Sequence, residues 1–444
     1  MRMLIIGGVA AGMSAASKIR RVKPDAQIVV LEKGNEVSYG ACGLPYYVAG
    51  LNDDANRMRI RRAESFIAQG IDVRLRHHAM RISVKDKTVW VRDLETDTLY
   101  VEPYDKLLIA TGAEAIVPPF PGKDLRGVHC LKTLEDGIRL KEAIAQAHHI
   151  AVIGGGYIGV EVAESLRETG REVRLIEAAP RILAPFDVEI AEKLHAAMTE
   201  AGISVHTNER LSEVLSDSSG CVSGIKTTTG EYLADIVVMA LGVRPATQFV
   251  QDTGIQCMPN GAIMTDRYMC TNLPDIYAAG DCAAVYSCIE EALVYSALGT
   301  VANKCGRIAG ENMAGGHTRF HGCLGSSAIS VCGLEAGRTG LGEERARELY
   351  GENVTALVIE SHDRPPYYPD ATPLWVKLIC EKRSRRILGG QVAGQKGAVL
   401  RVDALAVAIT SGMTAPELGG TDLCYAPPFA EVWDALNIAG NAVK

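Results

Sequence analysis

Long apolar runs are absent from this chain of 444 residues. None reaches the roughly 18 residues that a membrane-spanning helix requires, so no membrane association is expected. The start, Met1-Arg-Met-Leu-Ile-Ile, meets glycine at Gly7, too soon for the apolar core of a secretory signal. A basic surplus is missing as well: 46 lysines and arginines stand against 53 acids, a net charge of −7, which argues against a dedicated nucleic-acid binder. There is no Cys-x-x-Cys pair among the 12 cysteines. Scattered in this way they suggest neither a metal cage nor a disulfide scaffold, and a reducing cytoplasm is the expected setting. Most read as buried small hydrophobes, Cys130 and Cys221 among them, with one or two left to carry chemistry.

What is plentiful is glycine: 45 residues, with no collagen-like period. Such an excess belongs in turns or where backbone approaches a ligand closely. Part of it falls in a motif that occurs twice. Met3-Leu-Ile-Ile-Gly reads as a buried strand, followed by Gly7-Gly-Val-Ala-Ala-Gly12 and a helical stretch to Arg21. Ile150-Ala-Val-Ile-Gly is the same kind of strand, followed by Gly154-Gly-Gly-Tyr-Ile-Gly159 and a helix to about Thr169. Each then meets a second apolar strand ending in an acid, Glu32 or Glu177, at 20 and 18 residues past the last motif glycine.

Strand, glycine turn, helix, strand and acid form the dinucleotide-binding βαβ unit. The first glycine makes the tight turn and the last lets the helix pack closely on the strand. The helix N-terminus offers free N–H groups and partial positive charge to a pyrophosphate. The acid accepts hydrogen bonds from a ribose diol. The second copy has all of Gly154, Gly156 and Gly159, whereas Val9 replaces the middle glycine of the first.

Two further segments, Tyr104 to Gly112 and Asp275 to Asp281, read as buried strands ending in polar turns, where open α/β sheets bind ligands. Length alone suggests about three domains. The order of motifs predicts an α/β chain that begins one nucleotide domain, inserts a second, and returns to the first. Beyond residue 323 come β-rich runs such as Leu374-Trp-Val-Lys-Leu-Ile and a helix near 401–411, predicting a third, α+β domain.

With these motifs, Ala110-Thr-Gly, Leu241-Gly-Val-Arg-Pro245 and Ala279-Gly-Asp281, the sequence resembles the flavin-dependent pyridine nucleotide–disulfide oxidoreductases over essentially its whole length. The resemblance implies two Rossmann-like domains, one inserted in the other: residues 1–112 and 243–322 for FAD, and 113–242 for NAD(P)H. Residues 323–444 would form an α+β dimerisation domain. It places FAD against Gly7, Gly12, Glu32, Met80, Thr111, Gly112 and Asp281. The nicotinamide dinucleotide would lie against Gly154, Gly156, Gly159 and Glu177. Glu177 favours NADH over NADPH because a carboxylate there repels a 2′-phosphate, with Arg181 nearby as a counterweight.

Two-cysteine relatives pair an N-terminal disulfide with a C-terminal His-Glu. This chain has only Cys42 in the expected window, Ser38-Tyr-Gly-Ala-Cys-Gly-Leu-Pro-Tyr46, and no histidine after His362. Gly40 and Gly43 allow a tight turn around Cys42, and Pro45 suits the first turn of a helix whose dipole would stabilise a thiolate. The narrower resemblance is to the single-cysteine subgroup: coenzyme A disulfide reductases, persulfide and polysulfide reductases, and NADH oxidases and peroxidases. The oxidases and peroxidases carry a histidine where Ala10 stands here. The coenzyme A disulfide reductases use two tyrosines from the partner subunit, matching Tyr367-Tyr-Pro and Tyr425-Ala-Pro-Pro. By the same resemblance Ser14, Lys18, Arg21, Ser38 and Asn303 fall at coenzyme A-contacting positions.

Arg57, Arg59, Arg61 and Arg62 form a second basic cluster, either a grip for a phosphate or a solvated face. Ala41 and Trp433 depart from the subgroup, which holds an asparagine and a lysine there in some members. The expected enzyme is a cytoplasmic homodimer with active sites shared between subunits. It would reduce coenzyme A disulfide through a Cys42–coenzyme A mixed disulfide, with FAD as cofactor and NADH or NADPH as co-substrate. No metal is expected. A persulfide or polysulfide reductase, an NADH oxidase, and a flavoprotein that reduces a partner protein are the alternatives.

Overall fold

Both repeats fold around central parallel strands in the structure, a computed structural model that describes residues 1–444. Arg2–Ile6 lies between Gln27–Leu31 and Lys106–Ile109, and Ile71–Arg74 and Ile276–Ala278 complete a five-stranded parallel sheet. Residues alternate between its two faces. Met3 and Ile5 join a core with Ala15 and Ile19 of the helix Ala10–Val22, while Leu4 and Ile6 join another with Val89 and Val91. A strand buried on both faces needs an unbroken apolar run, which is why Met-Leu-Ile-Ile shows no polar alternation. The helix Gly299–Met313 crosses Ala10–Val22 so tightly that a Cβ on Gly306 would stand 2.3 Å from the Ala11 carbonyl oxygen.

The second repeat is built alike. His149–Ile153 pairs in parallel with Glu172–Ile176 and Ile236–Met239, and Val128–Cys130 and Ser204–His206 form the edges. The C-terminal residues form a five-stranded antiparallel sheet, in the order Ser327–Val331, Leu334–Gly340, Ile387–Gly394, Pro373–Glu381 and Val354–His362. The helix Ala398–Thr410 covers one face of it.

Packing divides the chain into two compact units. One comprises residues 1–116, 132–138 and 243–323; the other comprises 117–131, 139–242 and 324–444. The second nucleotide sheet and the C-terminal sheet, separate by motif, thus share a unit. Particular contacts join them. The Tyr157 hydroxyl lies 2.6 Å from Ser327 Oγ, and Glu164 accepts the Cys332 N–H at 2.7 Å. Burial pushes the Glu164 carboxyl up to about 7.

All 12 cysteines are free thiols. Full burial is less common than the sequence suggests: Cys282, Cys305, Cys323 and Cys380 are buried, but Cys42, Cys257 and Cys424 are exposed and Cys130 and Cys221 are half-buried. Cys257 and Cys424 lie outside the long strands and helices that build the cores. No helix is long and apolar enough to cross a membrane.

Candidate active site

The glycine turns create the space for the site. Gly7 has φ +107°, and a Cβ there would stand 2.1 Å from the Ala110 carbonyl oxygen; Gly154 repeats this with φ +109° and 2.4 Å to the Ala240 oxygen. Side chains are excluded at both turns, so the chain can leave the strand and enter the helix at once. Glu32 accepts the Gly8 N–H at 2.6 Å and the Gly34 N–H at 2.7 Å. Glu177 accepts those of Gly155 and Ala179, each at 2.6 Å. Burial raises the Glu32 carboxyl, and the amides of Gly34 and Gly8 oppose it. An ionised carboxylate offers about four acceptor sites, so each acid keeps lone pairs for two ribose hydroxyls.

At Gly156, the residue capping the helix Tyr157–Glu168, nothing lies within 4 Å of where a Cβ would stand. Backbone N–H groups at that helix start therefore face open space that fits a pyrophosphate. Val9 caps the helix of the first repeat without any side-chain hydrogen bond. The two cradles fit two dinucleotides.

The remaining residues expected near FAD all fall in the first unit. Met80 sits at a bulge between Ala79 and Arg81, which interrupts the ladder with Thr88–Asp93. Thr111 donates its hydroxyl to the Ala246 carbonyl at 2.8 Å, and Gly112, with φ +68°, accepts the Ala246 N–H. Asp281 faces Lys132 Nζ at 3.4 Å. Nothing in the local sequence around Lys132 signals this partner 149 residues away.

Cys42 is exposed in the turn Ala41–Gly43, with Gly43 capping the helix Leu44–Val48 and Pro45 in its first turn. That helix has only five residues, so the dipole effect expected from sequence is small. Ser38, in the left-handed region at φ +49°, donates its N–H to Gly8 O at 3.0 Å and accepts from Ile60 at 2.8 Å. The thiol loop is thereby tied to the first glycine turn.

Among the substrate candidates, Ser14 Oγ accepts from Asn303 Nδ2 at 2.9 Å across the two packed helices. Lys18 is paired with Glu311 at 3.0 Å, and Arg21 is exposed. The second basic cluster is mostly engaged within its own fold. Arg59 forms an ion pair with Glu36, Arg61 stacks 4.0 Å over the Phe66 ring, and Arg62 donates to Asn56 at 2.8 Å. Only Arg57 of that cluster extends without such a contact, so the four do not form one phosphate grip.

In the second unit the two candidate tyrosines meet: the hydroxyls of Tyr367 and Tyr425 lie 3.2 Å apart, both side chains exposed. Beside them runs a groove of about 420 Å³ walled by Pro366, Val432 and Trp433. The Tyr425 hydrogen bond holds the Tyr367 phenol above its ordinary range. Tyr367 therefore stays protonated to higher pH while its neighbour is intact. If the pair acts as a proton donor, Tyr425→Phe lowers turnover about 100-fold or more. It should also move the alkaline limb of the pH–rate profile to lower pH. A profile with an unmoved limb would show that the pair does not act on the reaction.

Two dinucleotide cradles of one design, with the exposed thiol of Cys42 on a loop tied to the first, define a two-cofactor oxidoreductase. The chain belongs to the pyridine nucleotide-disulphide oxidoreductases, whose family pattern matches residues 1–302 and whose dimerisation domain matches 326–436. It is a flavin-dependent oxidoreductase that uses FAD and NAD(P)H. It is 35% identical over 449 residues to the NAD(P)H coenzyme A polysulfide/persulfide reductase of Pyrococcus horikoshii, covering 100% of this chain and 98% of that protein. It is 32% identical over 443 residues to an NADH oxidase of Enterococcus faecalis, covering 100% and 99%. The crystal structure of reduced Bacillus anthracis CoADR-RHD superposes with a TM-score of 0.95 at 31% identity, covering 100% of this chain and 80% of that one.

Proposed function

We propose that this protein reduces coenzyme A disulfide with NADH through Cys42, as a cytoplasmic homodimer. Residues 1–112 and 243–322 would serve FAD, 113–242 NADH, and 323–444 the subunit contact. The observation that carries the reading is the exposed Cys42, a lone thiol on a loop joined to the flavin-side glycine turn. FAD, when bound, supplies the two-electron link between NADH and sulfur.

The chain's own residues account for the rest. In the resting enzyme Cys42 would be joined to coenzyme A through a disulfide. Two electrons and one proton cleave that bond, leaving the Cys42 thiolate and a coenzyme A thiol. The thiolate then attacks one sulfur of coenzyme A disulfide, restoring the mixed disulfide and expelling a second thiolate. The hydroxyl pair of the partner subunit's Tyr367 and the partner subunit's Tyr425 would give that thiolate a proton. Exposed Leu400, Val407, Phe429 and Trp433 supply the apolar surface a dimer would cover. The twelve free thiols support a reducing compartment.

NADH is favoured over NADPH for a local reason. Arg181, the first cation after Glu177 in sequence, spends its guanidinium on the carbonyls of Ala184 and Phe186. A persulfide or polysulfide acceptor is the second reading, supported by the Pyrococcus relative and by the groove lining, where Trp433 and Glu431 offer a phosphate no cation. Oxygen is disfavoured as acceptor, since Ala10 supplies no acid–base group at the start of the first helix.

Intact-mass measurement of untreated protein, before and after reduction, tests the reading. The expected result is a coenzyme A-sized adduct on Cys42 that reductant removes. An unmodified or sulfenic Cys42 together with rapid NADH-dependent oxygen uptake would reject it in favour of the oxidase.

A further inference from the structure

The segment between Glu177 and the helix Val188–Glu200 is tied back on itself and anchored by three buried side chains. Ile182, Leu183 and Phe186 are wholly out of solvent. The Leu183 N–H donates to Gly155 O at 2.7 Å, gripping the second glycine turn itself. Arg181 closes the segment by donating to Ala184 O and Phe186 O, each at 3.3 Å. The segment ends at Asp187, which caps the helix.

At that point the C-terminal sheet takes hold. Gln391 Oε1 accepts the Asp187 N–H at 2.9 Å. Lys377, on the neighbouring strand, is 2% exposed, with Nζ 2.7 Å from Glu189, 2.8 Å from Glu343 and 3.3 Å from Asp187. Asp187 also accepts the Glu343 N–H at 3.1 Å, so two helix starts converge on one buried ammonium.

The Lys377 ammonium is deeply buried, so its desolvation offsets much of its attraction to the carboxylates; what the ion pairs impose is geometry. An apolar contact between helix and sheet would tolerate sliding. An ammonium shared by three carboxylates holds the helix start at one distance and one orientation.

We infer that Lys377 and Gln391 are positioning residues for the NAD(P)H site: they fix the start of Val188–Glu200 and, through the segment 181–186, the placement of Glu177 and the Gly155 turn. The inference rests on the reading that Glu177 receives the dinucleotide ribose. It assigns the C-terminal sheet a part in NAD(P)H binding besides any role in subunit contact.

The test follows flavin reduction by NADH in FAD-loaded enzyme under anaerobic rapid mixing, which needs no choice of acceptor. Lys377→Met, Gln391→Leu and Glu177→Gln are compared with the parent. The apparent Kd for NADH should rise about 5-fold or more in Lys377→Met and about 3-fold in Gln391→Leu, with the limiting reduction rate within about twofold of the parent. A general loss of structure would instead lower FAD content and leave the apparent Kd of the loaded fraction alone. An unchanged Kd in either variant, while Glu177→Gln raises it, overturns the inference and spares the site assignment. If Glu177→Gln itself leaves the Kd unmoved, the assignment on which the inference stands is overturned. Should Lys377→Met fail to fold, Gln391→Leu decides, since it removes one acceptor and no charge.

Discussion

Cys42→Ser should lower turnover with the sulfur acceptor by about 1000-fold or more, while NADH still reduces the flavin at the parent rate. Serine fills nearly the same volume in the Ala41–Gly43 turn, so the loop tied to Gly8 through Ser38 keeps its shape. What is lost is the sulfur. A hydroxyl cannot form a disulfide, and no second cysteine lies on that loop to replace it. Steady-state rates with the acceptor, set against single-turnover flavin reduction, separate the two half-reactions. A serine variant that still reduces coenzyme A disulfide or polysulfide at a tenth of the parent rate would overturn the mechanism at its centre.

Gly7→Ala should cost about 3 kcal/mol or more and yield protein largely free of FAD. Two penalties coincide there. The backbone sits at φ +107°, a region L side chains rarely adopt, and the added Cβ would stand 2.1 Å from the Ala110 oxygen. Neither partner can yield, since Arg2–Ile6 and Lys106–Ile109 are adjacent inner strands of one sheet. Gly156→Ala is the instructive contrast. With nothing within 4 Å of its Cβ and no positive φ, alanine leaves the fold intact and intrudes only on the space expected for the pyrophosphate. Thermal unfolding and FAD content should therefore change for position 7 alone, and NADH affinity should weaken at position 156. Equal melting behaviour for Gly7→Ala and the parent would contradict the steric argument.

These two positions also mark how much was legible beforehand. The paired motifs could be read because each is a local pattern: apolar strand, glycine, helix and acid within about thirty residues. Their strands and helices appear within a residue or two of the expected places, at Arg2–Ile6, Ala10–Val22, His149–Ile153 and Tyr157–Glu168. Cys42 was legible for the same reason, as the lone thiol among glycines. The basic cluster was not. Whether Arg59 is free depends on Glu36 and whether Arg61 is free depends on Phe66, and a run of charge carries no record of such partners.

The sequence by itself determined the class of protein: two dinucleotide cradles, a lone thiol among glycines after the first of them and an appended α+β segment follow from short-range steric and hydrogen-bond requirements. Only the tertiary structure decided which of the remaining polar groups are spoken for. It pairs Lys132 with Asp281, Lys18 with Glu311 and Tyr367 with Tyr425, and it seats Lys377 beneath the helix that follows Glu177. These partners lie far apart along the chain and are joined by packing of whole elements. Such contacts leave no period, spacing or composition for a sequence to display.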